Sequence, residues 1–168
     1  MMQIELSRLE SPLGTIVLTV CEQGLCALEF AESEQGMLNR LQRAHPDAVF
    51  EDGPRAKQTA RQVKDYFDGS LDALTSLRVA PSGTPFQKQV WAALREVPVG
   101  ATSSYAKIAK TIGNPKAVRA VGAANSKNPI ALVVPCHRVI AADGKLHGYA
   151  GGLWRKQWLL EHEKAWFA

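Results

Sequence analysis

Ser104-Tyr105-Ala106-Lys107-Ile108-Ala109-Lys110-Thr111-Ile112-Gly113-Asn114-Pro115-Lys116-Ala117-Val118-Arg119-Ala120-Val121-Gly122-Ala123-Ala124-Asn125 reads as two short helices broken by a tight turn. Ser104 is a preferred N-cap, Ile108 and Ala109 fall on one helical face, and Gly113 suits the left-handed conformation that ends helices. The spacing predicts a first helix over 104–112. Asn114 then caps and Pro115 starts a second, over about 116–125. This is a helix-turn-helix layout, in which the second helix usually faces a nucleic-acid groove. Ala117, Ala120, Ala123, Ala124 and Gly122 leave that helix small-sided, with Arg119 as a long cation among them. Helix pairs with glycine turns also serve as plain packing units, so the pattern alone leaves both readings open.

Upstream, Ala80 to Thr84, with Pro81 and Gly83, reads as a boundary between a first domain of 1–80 and a second of 81–168. Thr84 as N-cap and Pro85 at the first helical position open a helix that buries Phe86, Val90, Trp91 and Leu94, and Pro98 and Gly100 end it. The first thirty residues predict three antiparallel strands. Gln3 to Ser7 alternates with period two, Gly14 to Val20 is rich in β-branched residues, and Gly24 to Phe30 follows a turn. Ser33 is expected to cap one or two helical turns carrying Met37, Leu38 and Leu41. A firmer helix is expected over Pro54 to Phe67, with Ala60, Val63 and Phe67 inward and Gly69 as its stop. The fold class is α+β: an N-terminal antiparallel β-sheet domain with helix, then a mostly helical C-terminal domain containing the helix-turn-helix.

Downstream, Ile130 to Val134 is a short apolar run that reads as a buried strand, ended by Pro135. It delivers Cys136 beside His137 and Arg138. A thiol becomes a nucleophile only as thiolate, and a base or cation beside it promotes that form. Neighbouring strand residues face opposite ways, so His137 needs a turn or a bridging water to reach the Cys136 sulfur. Free cysteines are also ordinary core residues, which keeps a structural role open. Asp143-Gly144 signals a hairpin turn, Gly148 to Gly152 forms a glycine-rich stretch, and a last helix is expected over about Leu153 to Lys164. Its Trp154 and Trp158 read as core, with His162 and Glu163 at its end.

The net charge of +4 hides an asymmetry: residues 1–84 carry 8 Lys+Arg against 12 Asp+Glu, net −4, and residues 85–168 carry 12 against 4, net +8. The basic half is the one expected to meet a polyanion, with binding that weakens as salt rises. Three cysteines, Cys21, Cys26 and Cys136, argue against a disulfide framework and suit a reducing compartment. Residues 1–14 lack a signal-peptide core and no run is long enough to span a membrane, so a cytoplasmic protein is expected, nucleoid-associated in a bacterium.

Seven blocks stand in order along this half: Thr84-Pro85-Phe86-Gln87, Ser104-Tyr105, Gly113 to Gly122, Asn128-Pro129, Pro135-Cys136-His137-Arg138-Val139, Gly148-Tyr149-Ala150-Gly151-Gly152 and Leu159-Leu160-Glu161-His162-Glu163. From Gly83 to Glu163 they resemble the O6-alkylguanine-DNA alkyltransferases, or methylated-DNA–protein-cysteine methyltransferases. The N-terminal half fits that family in length and strand-rich character only. The resemblance implies a ribonuclease H-like N-terminal domain and a suicide repair protein that moves the alkyl group of O6-alkylguanine onto its own cysteine, with O4-alkylthymine as a second substrate left open.

What the resemblance implies for residues is specific. Cys136 matches the nucleophile. His137 matches the residue that acts on it through a water, and Glu163 the one that holds that histidine. Asn128 matches the residue that keeps the nucleophile's turn in place, and Tyr105 the donor to the leaving guanine. Arg119 matches the side chain that fills the vacated base stack. Val139, Tyr149, Ala150, Gly151 and Gly152 match the alkyl-pocket wall. Ser104, Lys116, Ala117, Ala120, Lys127 and Arg138 are the further DNA-contact candidates. The partner implied is double-stranded DNA met through its minor groove, by a protein that is a monomer in solution, with side-by-side binding on DNA left open. The target base must be rotated out of the duplex. No cofactor is expected. Some members hold a zinc in the N-terminal half, but Cys21 and Cys26 lack two further matching ligands, so no metal is expected. Two competitors remain: a cysteine hydrolase built on Cys136, His137 and Glu163, and a transcription regulator built on the helix pair.

Overall fold

The computed structural model describes residues 2–146 and 148–165. The chain divides into two compact units, one of residues 1–82 with 129–133 and one of 83–128 with 134–168. The excursion at 129–133 is a departure from a single boundary near residue 80. Its cause is pairing with a strand of the first unit: Leu28 N–H donates to Pro129 O at 3.0 Å and Ala131 N–H to Leu28 O at 3.0 Å.

In the first unit, β1 (Met2–Ser11), β2 (Gly14–Cys21) and β3 (Gly24–Phe30) form the expected antiparallel meander. Helix α1 (Glu34–Ala44) follows, then β4 (Ala48–Glu51), then α2 (Pro54–Phe67). Strand β4 was not foreseen. It pairs parallel to β1, giving the order β3-β2-β1-β4 and making the sheet mixed. Alternation along β1 assigns the two faces. Ile4 joins Val17, Cys21, Cys26 and Ala27 in a cluster with Met37 and Leu41 of α1. Glu5 points the other way and caps α2: its Oε1 accepts from Arg55 N at 2.7 Å and Ala56 N at 3.1 Å, and its Oε2 from Arg55 Nε at 2.8 Å. A Cβ at Gly53 would lie 2.2 Å from that carboxyl group, so glycine is required there. Helix α2 has the expected ends, but its buried face is Ala56, Thr59, Val63 and Tyr66; Tyr66, rather than Phe67, turns inward.

In the second unit, α3 (Pro85–Arg95) opens on a capping box. Thr84 Oγ1 accepts from Gln87 N at 3.1 Å while Gln87 Oε1 accepts from Thr84 N at 3.0 Å. Thr84→Ala is expected to destabilise the protein by about 1 kcal/mol, read as a lower urea midpoint at unchanged slope. Trp91 of α3 donates its Nε1–H to Ala124 O at 2.9 Å, which ties α3 to the helix pair. That pair is α4 (Tyr105–Thr111) and α5 (Val118–Ser126), with Gly113 at φ 79° in the turn. Ser104 caps α4 as expected, but α5 starts later than expected. Asn114 to Ala117 forms a separate turn, closed by Ala117 N–H on Asn114 O at 3.0 Å.

Three further expectations are corrected. The run 130–134 buries all but Ala131, yet it turns rather than extends; Leu132 has φ 70° and Val133 N–H bonds Ala131 O at 2.8 Å. Asp143-Gly144 does turn, with Lys145 N–H on Asp143 Oδ1 at 2.9 Å, but no strands flank it among the described residues. The last helix, α6 (Leu153–His162), leaves Trp154 56% exposed instead of in the core. No described helix is long and apolar enough to cross a membrane.

Candidate active site

The turn before Cys136 does what a strand could not. Pro135 leads into a 3-10 turn over Cys136–Arg138, so thiol and imidazole leave the backbone about a third of a turn apart instead of on opposite faces. Cys136 is 8% exposed. Burial pushes its thiol pKa up, against a hydrogen bond from Asn128 and the charge of Lys156, which favour the thiolate. Asn128 also donates from Nδ2 to Val134 O at 2.7 Å, closing the segment that leads to the thiol. Cys26 is pushed up to about 12 by burial and bonds Thr19.

His137 is fully buried, and its Nε2 lies 2.8 Å from Glu163 Oε2. Burial lowers the imidazole pKa more than Glu163 raises it, so the ring is neutral. With the carboxylate accepting at Nε2–H, the lone pair belongs to Nδ1, which is buried and has no hydrogen-bond partner among the described residues. Arg138 completes the network. Its Nε donates to Glu163 Oε1 at 2.8 Å, its Nη2 to Oε2 at 3.1 Å and its Nη1 to Val97 O at 2.7 Å. Burial alone would raise the Glu163 pKa. The hydrogen bonds and charge around it win and hold the carboxyl well below its ordinary value. With His137 neutral, that charge is the guanidinium of Arg138.

This removes Arg138 from the DNA-contact candidates. It is 7% exposed and its fork is committed to Glu163 and Val97, so no phosphate can reach it. A residue missed in the sequence takes its place as a buried cation. Lys156 is fully buried, donates from Nζ to Val139 O at 2.6 Å, and adds positive charge beside Cys136. The signal for it was present: Lys156, Leu159, Leu160 and Glu163 follow i, i+3, i+4, i+7, one helical face with a charge at each end.

The remaining candidates fall into two groups. Tyr105, Val139 and Tyr149 lie at the nucleophile. Ser103 N–H bonds Arg138 O at 2.8 Å and Ile140 N–H bonds Ser103 O at 3.0 Å, which draws the start of α4 alongside the cysteine turn. Burial and the nearby Cys136 charge raise the Tyr105 pKa, so its hydroxyl stays protonated. The same causes raise Tyr149 well above its ordinary value, and its buried hydroxyl has no hydrogen-bond partner among the described residues. Ala150, Gly151 and Gly152 continue that loop into α6. Lys116, Arg119, Ala120 and Lys127 form the other group: all are exposed, on or beside α5, with Ala117 and Ser104 half-buried at the helix starts. Among the described residues no three His, Cys, Asp or Glu side chains converge as metal ligands.

Residues 85–165 match the family model for the 6-O-methylguanine DNA methyltransferase DNA-binding domain, and residues 6–81 match that for the ribonuclease-like domain of the same proteins. A methylated-DNA–protein-cysteine methyltransferase of Methanosarcina acetivorans is 48% identical over 154 residues, 92% of this chain and 94% of that one. Its counterpart from Shigella flexneri is 40% identical over 166 residues, 97% of each. Among solved structures, the O6-methylguanine methyltransferase of Mycobacterium tuberculosis superimposes with a TM-score of 0.79 at 41% identity, over 96% of this chain and 93% of that one. The DNA complex of the M. tuberculosis protein gives 0.78 at 40%, over 97% and 93%.

Proposed function

The chain belongs to the 6-O-methylguanine DNA methyltransferase family, and from that membership we propose that Cys136 Sγ is the atom that takes the alkyl group. The protein is a DNA repair alkyltransferase that moves the group from O6-alkylguanine in DNA to its own cysteine, once per molecule. The observation that carries the assignment of roles is a buried neutral imidazole, held by Glu163, on the residue that follows a thiol with Asn128 and Lys156 beside it.

The buried thiol is protonated at rest, so its proton must leave as the sulfur attacks. His137 Nδ1 takes it through one bridging water, and Glu163 stabilises the imidazolium that results. Sγ forms a bond to the alkyl carbon while the bond from that carbon to O6 breaks. The departing guanine receives a proton from the Tyr105 hydroxyl, which regains one from solvent. The thioether does not hydrolyse, and turnover ends there.

For DNA, the exposed small-sided face of α5 supports approach through the minor groove, with Arg119 filling the gap left by the rotated base and Lys116 and Lys127 on phosphates. We propose a monomer in solution, with side-by-side binding on DNA left open. Incubation with a duplex containing O6-methylguanine is expected to add one methyl per chain, mapped to Cys136 by peptide mass spectrometry. Multiple-turnover ester or amide cleavage would point instead to a hydrolase. Operator-specific binding with no covalent product would point to a regulator.

A further inference from the structure

The first turn of α6 grips the glycine-rich loop through three consecutive side chains. Trp154 folds back over Gly152, where a Cβ would lie 3.3 Å from Trp154 Cδ1 and 3.5 Å from Nε1. Arg155 donates from Nη1 to Gly151 O at 3.1 Å. Lys156 donates from Nζ to Gly148 O at 3.4 Å as well as to Val139 O. The first two act together, because the Arg155 guanidinium carbon lies 5.0 Å from the centroid of the Trp154 ring. That distance is within cation-π range. The indole is largely in solvent on its outer side while the arginine beneath it is buried. An exposed tryptophan with no apolar core to fill is here a cover for a cation that holds the loop.

The loop in turn shapes the space at the sulfur. Gly152 N–H bonds Tyr149 O at 2.9 Å, closing 149–152 into one turn, and the half-buried Tyr149 tucks its hydroxyl away beside Cys136. We propose that Trp154 and Arg155 are positioning residues that fix the width of the alkyl pocket, and thereby the size of adduct the protein accepts. This rests on the reading of Tyr149 to Gly152 as the pocket wall of an alkyltransferase.

The test compares transfer rate constants for duplexes carrying O6-methylguanine and O6-benzylguanine in the wild type, Trp154→Ala, Arg155→Ala and the conservative Trp154→Phe. Releasing the loop is expected to raise the benzyl-to-methyl ratio at least about threefold in both alanine variants, the scale of one lost cation-π contact or hydrogen bond, with Trp154→Phe restoring it. A general loss of stability would slow both adducts alike. An unchanged or lower ratio overturns the proposal. Hydrogen exchange at the amides of Tyr149 to Gly152 supplies a readout independent of transfer. Faster exchange in the alanine variants supports the brace, and unchanged protection overturns it. Should the wild type transfer no methyl at all, the alkyltransferase reading fails, while exchange still decides whether these side chains hold the loop.

Discussion

Cys136→Ala is expected to abolish methyl transfer completely while keeping DNA affinity within about tenfold, or about 1.4 kcal/mol. The two functions draw on different atoms. Transfer needs a soft nucleophile with a proton acceptor at hand, and Cys136 shares the second unit with His137 and Glu163, whereas Cys21 and Cys26 belong to the first. DNA contact draws on the exposed residues of α5 and on the net +8 of residues 85–168. Losing one sulfur beneath the surface touches neither. Cys136→Ser sharpens the test, because a hydroxyl retains a hydrogen bond from Asn128 yet ionises far too weakly to attack carbon. Binding by either variant should weaken steeply between low and high salt, as phosphate contacts release counterions. Wild-type transfer by Cys136→Ala would remove the sulfur from the mechanism.

Residues whose local chemistry has one solution were legible in the sequence. Thr84 before Pro85 and an apolar helix is an N-cap, and Gly113 between two helical periods is a left-handed stop; both stand as read. The ends of α2 follow from Pro54 and Gly69 for the same reason. The inner face of α2 was misread, since Tyr66 and Phe67 are equally apolar and only the packing chooses between them. Strand β4 has just four residues and gains its pairing from β1, more than forty positions away, so nothing local announces it.

The site divides along the same line. The Cys136-His137 pair and Glu163 were legible as residue types in ordered blocks, but the charges that surround them were not. Arg138 reads as a DNA-contact cation and Lys156 is passed over, because isolated cations belong in water. Folding gives each a partner that outweighs that preference: a carboxylate accepting a bidentate fork for Arg138, and backbone carbonyls for Lys156. Glu5 makes the same point in the first unit, a carboxylate buried because the open N-terminus of α2 needs an acceptor. Burial of charge is decided by partners distant in sequence, and that information is absent from any single stretch.

Glu163 is where stability and chemistry meet, and Glu163→Ala is expected to damage both. It leaves Arg138 buried without its counter-charge, a loss of about 3–5 kcal/mol in the urea-derived unfolding free energy. It also leaves His137 Nε2–H without an acceptor, so the tautomer that presents a lone pair at Nδ1 loses its preference. Transfer should fall by at least about a hundredfold, the scale of a lost proton acceptor. Glu163→Gln separates the two effects. Its amide oxygen still accepts one hydrogen bond, so the fold suffers less, but no negative charge remains to stabilise an imidazolium. The pH dependence has a definite sign. The folded-state pKa of Glu163 is depressed from its ordinary 4.5, so its contribution is present above that value and lost as pH falls toward the folded pKa. His137, lowered from 6.5 by burial, acts in the same sense, because the unfolded chain takes up a proton first as pH drops. The stability gap between the wild type and Glu163→Gln should therefore be widest near neutrality and narrow below about pH 4.5. A gap that is constant or grows as the solution is acidified would mean that the carboxylate charge does not stabilise the folded site.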